Sequence, residues 1–235
     1  MLERVFLLQH SLPPIARQLA SSTIDVSVRS AFGDTVRSLH DCARTIARAM
    51  GTLARFTQAV SEAWMVEESD LDSRITKIGP LFDTFADHLE NVLKLTDRCI
   101  DDLAKFEDII DHTLSYPPGV DYVLSNLFIP FIARHNVAEL SPRAVMVTTG
   151  RSTLVNIRLN VLEIADLARH LQNYALETRV HSSLEALVNI RMQPLDERSA
   201  LWSAMNAVVF DLDGSVSALK FSARGIERTA QRLNL

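Results

Sequence analysis

The chain has 235 residues, enough for one large domain or two small ones with a real hydrophobic core. Apolar residues make up 47% and charged residues 23%, with a net charge of −5, which argues against nucleic acid as the main partner because a phosphate backbone needs a basic surface. Two cysteines, Cys42 and Cys99, make neither a disulfide framework nor a zinc site, and seven Gly and eight Pro are few enough to favour long elements over many short strands.

Residues 1–33 read as a lead-in. Leu2 to Gln9 predicts a short helix; Pro13 and Pro14 end it or start the next one, a short helical segment from Ile15 to Ala20. Ser21 to Thr23 reads as a break, and Ile24, Val26 and Val28 as an irregular approach to the next element. The opening stretch lacks the apolar core of a signal peptide. No stretch approaches the roughly 20 apolar residues of a spanning helix. A cytoplasmic protein is therefore expected, with peripheral membrane attachment as the variant.

Residues 34–115 predict a helix hairpin. Its first arm runs from Asp34 to Glu67, on a stripe of Phe32, Val36, Leu39, Ala43, Ile46, Met50, Leu53, Thr57, Val60 and Trp64. Steps alternating between three and four are the pattern of a helix–helix seam. Gly51 inside it costs about 1 kcal/mol relative to Ala, which a close helix crossing would explain. Ser69 to Asp72 resembles a capping box at the turn, and Gly79–Pro80 predicts a kink or a second start. The second arm, Phe82 to Leu114, carries Phe82, Phe85, Leu89, Val92, Cys99, Leu103, Phe106 and Ile110 at the same alternation, with Thr96 as the one polar member. Nine acidic and three basic residues lie between Phe82 and His112, and Arg37, Arg44, Arg48 and Arg55 share nearly one face of the first arm. Antiparallel pairing would set these opposite charges side by side, choosing register more than adding stability. It would also place Cys42 and Cys99 at similar heights, as reduced, buried thiols.

Residues 116–153 read as an irregular connector. Tyr122 to Ala133 is the most apolar window, with Leu127, Phe128, Ile129 and Phe131 as candidate membrane- or partner-binding side chains if it is more than a buried cap. Ala144 to Thr149 has strand composition, and Ser152 or Thr153 reads as a helix cap. Residues 154–235 predict a second hairpin. One arm, Leu154 to Ile190, uses Leu154, Ile157, Val161, Ile164, Ala168, Leu171 and Ala175, then shifts phase to Leu176, Val180, Leu184 and Leu187. The other, Asp196 to Leu233, uses Leu201, Met205, Val208, Leu212, Val216, Leu219, Ala223, Ile226, Ala230 and Leu233.

Asn206 to Ser215 (NAVVFDLDGS) resembles the first motif of haloacid dehalogenase-type phosphatases, and Val145 to Arg151 (VMVTTGR) resembles a second-motif strand end. The resemblance implies Asp211 as nucleophile, Asp213 as general acid and Thr149 as a phosphate-binding hydroxyl. The two pieces stand in reversed order and the βα alternation of that fold is absent. The apolar stripe runs straight through Leu212 and Val216, so Asp211 and Asp213 are expected to face water on a helix. No histidine has an acidic residue three positions before it, as a di-iron bundle would require. The cluster of Glu107, Asp108, Asp111 and His112 reads as a solvated acidic helix end.

The expected fold is an all-α, elongated antiparallel bundle of about four long helices forming one domain. The expected function is a non-catalytic interaction or scaffold protein, with no catalytic residue, cofactor or metal, that associates with a protein partner or with itself. The alternative is a membrane-binding or membrane-active bundle with an anionic membrane surface as partner, and a phosphatase is third. Lys220, Arg224, Arg228 and Arg232 form an i, i+4 ladder that could dock an acidic partner or an anionic membrane, or complement the helix dipole.

Overall fold

The computed structural model describes residues 1–21, 26–65, 71–113, 142–181 and 194–232. Among them are five helices and no strand: α1 (Leu2–Ser21), α2 (Val26–Met65), α3 (Leu71–Thr113), α4 (Pro142–His181) and α5 (Leu195–Gln231). The protein is the all-α bundle that its stripes predict. Val36, Leu39 and Ile46 of α2, Leu89, Val92, Leu103 and Phe106 of α3, and Ile157, Val161 and Ile164 of α4 are all buried. Even the polar interruption on α3 holds: Thr96 is buried, and its hydroxyl donates to the Leu93 carbonyl at 2.7 Å.

Helix α2 is the centre. It packs along its length against α3 on one side and α5 on the other, while α4 lies on α3. Helix α1 packs against both α4 and α5, which barely touch each other among the described residues. Phe32 meets Phe106 and Phe56 meets Phe82, with ring centroids 5.1 and 5.5 Å apart, so α2 and α3 are antiparallel. Arg158 of α4 reaches Glu107 of α3 at 3.4 Å while Leu171 and Ala175 pack with Phe85 and Leu89, so that pair is antiparallel too. One core cluster draws on all five helices. Beyond it a smaller cluster at the far end joins only α2, α3 and α5, through Phe56, Ala63, Ile78 and Met205.

Five expectations need correction. The lead-in is a full helix: α1 runs unbroken through Pro13 and Pro14. Its stripe of Val5, Leu8, Leu12, Ile15 and Leu19 is buried throughout. Each such side chain contributes about 1.5–3 kcal/mol, against roughly 3 kcal/mol for a helix-interior proline, so burial wins. Helix α2 begins at Val26, taking Val28 into the core rather than leaving it in an irregular approach. Pro80 does not restart α3, which continues through it. Helix α4 starts at Pro142, so Ala144 to Thr149 is helical despite its β-branched residues, and the connector is shorter than expected. Proline suits a first helical position. Finally, among the described residues α4 and α5 do not pack side by side as a hairpin would, and α1 packs against both. Tyr122 to Ala133, with Leu127, Phe128, Ile129 and Phe131, lies outside the described residues, as do Leu184, Leu187 and Leu233.

Between its two phenylalanine pairs, α2 meets α3 with small side chains. Ala43, Thr35, Ser38 and Cys42 of α2 are buried along this seam. Cys42 and Cys99 are both free and buried. The neighbouring Cys42 thiol together with burial pushes Cys99 well above the ordinary thiol range. The Ser38 hydroxyl donates to Asp102 Oδ2 at 2.5 Å, and the Thr35 hydroxyl to the Asp102 carbonyl at 3.3 Å. Lys105 stands 3.5 Å from the other oxygen of the same carboxylate. These polar rungs join α2 to α3 where the arginine stripe was expected to. Arg37 instead pairs with Asp34 on its own helix at 3.0 Å.

If α1 is core, Leu12→Ala should cost about 2–5 kcal/mol, as should Leu103→Ala on α3, each residue being fully buried. Urea denaturation reads both; a Leu12→Ala midpoint matching wild type would return α1 to the role of a loose lead-in.

Candidate functional site

Arg44, Arg48 and Arg55 form no ion pair with α3 among the described residues and open onto α5. Arg44, Arg48, Gly51 and Arg55 follow one another at steps of four, three and four, which is seam spacing on a second face of α2. A Cβ at Gly51 would stand 3.9 Å from Val216 Cγ2, so α5 crosses here at ordinary contact distance and the position does not require glycine. Outward from that contact, in antiparallel register, Arg48 stands at the level of Lys220 and Arg44 at that of Arg224. Arg55 stands at the level of Asp213, and His40 at that of Glu227. All of these side chains, with His88 from α3, line one groove of about 770 Å³.

The groove is strongly positive in a protein whose net charge is negative. Five permanent cations line it against two carboxylates, Asp213 and Glu227. Among the described residues, Arg44, Arg48, Lys220 and Arg224 form no ion pair. Arg55 is held along its own helix, its Nε donating to the Gly51 carbonyl at 3.4 Å and its Nη2 to Thr52 Oγ1 at 3.2 Å. His40 Nδ1 lies 3.3 Å from Asp41 Oδ1. Burial lowers the pKa of His88, and the nearby Arg48 and Arg55 lower it further, with Asp87 opposing them. Like charges facing each other across a helix–helix seam cost energy rather than supply it.

The ladder predicted from the sequence is therefore divided. Lys220 and Arg224 enter the groove, while Arg228 and Arg232 stay exposed beyond it. The backbone N–H of Arg232 closes the helix on the Arg228 carbonyl at 3.2 Å. His40 and His88 carried no sequence signal of their own. What could have located the site is the pair of basic ladders, one on each helix, at heights that an antiparallel α2–α5 pairing brings level.

The phosphatase-like stretch does not form the geometry its resemblance implies. Asp211 and Asp213 are exposed in the interior of α5, and Val145 to Arg151 lies in the first turns of α4, so neither piece is at a strand end. The apolar stripe of α5 is buried only from Val216 onward; Leu201 and Val208 are exposed, because only α2 and α3 accompany that half. Glu107 turns to Arg158, and no group of three or more metal-ligating side chains converges among the described residues. No helix among them is long and apolar enough to cross a membrane. No protein family, no curated protein and no solved structure matches the chain.

Two outcomes test this geometry. Gly214 lies in DLDG, and a Cβ there would meet nothing within 4 Å, whereas a Cβ at Gly225 would come within 2.6 Å of Gln9 Nε2. Gly214→Ala should raise stability by about 0.5–1 kcal/mol, and Gly225→Ala should gain less, because the Gln9 side chain must swing aside to admit the methyl group; thermal melts that reversed the order would contradict both placements. His88 should titrate below the ordinary histidine value of about 6.5 in proton NMR, and Arg48→Gln should move it upward. A midpoint unmoved by that change would separate His88 from the groove.

Proposed function

We propose that this protein is a non-catalytic helical interaction module that recognises an anionic partner in the groove between α2 and α5. One observation carries the reading: Arg44 and Arg48 face Arg224 and Lys220 across the seam with no ion-pair partner among the described residues. An apolar or oppositely charged seam would hold the two helices together better. A facing pair of cationic ladders gives up that stability and recovers it when an anion sits between them. The groove offers guanidinium and ammonium donors, and its chemistry is binding rather than bond-breaking.

A membrane surface is the second reading. Lys220, Arg224, Arg228 and Arg232 are exposed along α5, and Phe221, 64% exposed, stands beside them. Basic residues flanked by an exposed aromatic suit an anionic bilayer interface.

Anion linkage tests the first reading. Ligand bound only to the folded state adds about 2.7 kcal/mol at a hundredfold excess over Kd. Phosphate should therefore raise the melting temperature above that in chloride at equal ionic strength. Arg48→Gln combined with Lys220→Gln should melt no lower than wild type in chloride and lose the additional response to phosphate. Equal responses in both proteins would contradict a specific groove. Binding to anionic vesicles that survives this double substitution but not Arg228→Gln with Arg232→Gln would favour the membrane reading.

A further inference from the structure

Resting on the anion-binding reading of the groove, we infer that its ligand is a compact polyphosphate: two or more phosphate groups on one small scaffold. The distribution of charge carries this. Arg44 to Arg48 and Lys220 to Arg224 each span four residues, about 6 Å of helix. The four cations are thus concentrated within a single turn of each helix, on two facing walls. Arg55, about 10 Å further along α2, adds a fifth with its side chain already tethered at Gly51 and Thr52.

The carboxylates mark the ends of the positive zone. Glu227 stands at the level of His40 on one side, and Asp213 at the level of Arg55 on the other. An extended acidic peptide carries about one charge per 3.3 Å of chain, so matching the net excess of three cations takes about 10 Å of peptide and runs past the cationic turn of about 6 Å. A phosphate monoester concentrates about 1.5–2 negative charges on one centre at neutral pH. Two such groups balance the groove's excess of cations over carboxylates without leaving the central turn. Arginine supplies four of the five cations, and its planar fork matches a pair of phosphate oxygens as a bidentate contact. A volume of about 770 Å³ also falls within the roughly 300–1,000 Å³ of small-molecule sites.

The same headgroup chemistry occurs free in solution and on phosphorylated lipids, and the experiment separates the two. Calorimetric titration of the full chain would use inositol hexakisphosphate and tripolyphosphate as soluble probes, with inorganic phosphate and polyglutamate as comparators. The expected result is saturable one-to-one binding of both polyphosphates, at least tenfold tighter than inorganic phosphate, equivalent to about 1.4 kcal/mol. Arg48→Gln with Lys220→Gln should weaken it by about a hundredfold. Arg228→Gln with Arg232→Gln, outside the groove, should leave it within about threefold. Co-sedimentation with phosphatidylcholine vesicles, with and without phosphatidylinositol bisphosphate, assigns the source. Vesicle binding displaced by soluble polyphosphate identifies a lipid headgroup; soluble binding alone identifies a free ligand; both support the inference.

Polyglutamate binding in the groove without polyphosphate binding would overturn the polyphosphate inference and leave the anion-binding reading standing. Absence of binding by every anion would overturn both. Equal losses in the two double variants would place the affinity in general surface charge, and would also overturn the inference. Circular dichroism of each variant confirms that a loss of binding is not a loss of fold, since all four substituted side chains are exposed.

Discussion

The two-sided burial of α2 is the constraint on which the rest of the structure depends. Most bundle helices have one apolar stripe and one wet face. Helix α2 must satisfy α3 and α5 at once along nearly its whole length. Toward α3 it presents, besides Phe32 and Phe56, small and hydroxyl-bearing side chains: Ser38 and Thr35 donate their hydroxyls to the Asp102 carboxylate and carbonyl at 2.5 and 3.3 Å. These residues bury polar atoms without leaving them unpaired, which would otherwise cost about 1–3 kcal/mol each. Toward α5 the same helix changes from apolar to basic. That change of character on one face creates the groove.

The groove and the fold are therefore coupled. Near Leu219, Ala223 and Ile226, helix α5 has α1 as a further neighbour, and the five-helix core holds it in place. Gly225 allows α1 to approach so closely that a methyl group there would collide with Gln9. This grip keeps Lys220 and Arg224 opposite Arg48 and Arg44 despite their mutual repulsion. Exposed like charges a few ångströms apart repel by about 1 kcal/mol per pair in water, while each large side chain in the core contributes about 1.5–3 kcal/mol. The core can hold the cations in opposition, and an anion turns that repulsion into affinity.

The helices were legible in the sequence because burial follows the three–four alternation: Phe85, Leu89, Val92, Cys99, Leu103 and Phe106 all face inward. The partners of the helices were less legible. A stripe records that a face is buried and not against what, so α4 and α5 read as a hairpin, whereas α1 packs against both. Helix α1 was hidden because Pro13 and Pro14 are strong local signals, and local signals lose when five core side chains lie on the same helix. The first half of α5 shows the opposite error: Leu201, Val208 and Phe210 continue an apolar pattern, yet Phe210 is 79% exposed where only two helices accompany it. The basic residues were visible on both helices. Their function as a site depended on a pairing, α2 with α5, that links elements far apart in sequence and that charge complementarity between α2 and α3 seemed to contradict.

Native-state hydrogen exchange tests the central position of α2 most directly. Amides buried between two packed helices exchange only through global opening, whereas a helix half with an exposed apolar side opens locally at lower free energy. Amides from Val36 to Thr57 are expected to be among the slowest in the protein, with opening free energies equal to that of global unfolding, and those from Leu201 to Phe210 to exchange faster. Exchange of the Val36–Thr57 amides at the rate of the Leu201–Phe210 amides would contradict the central position of α2.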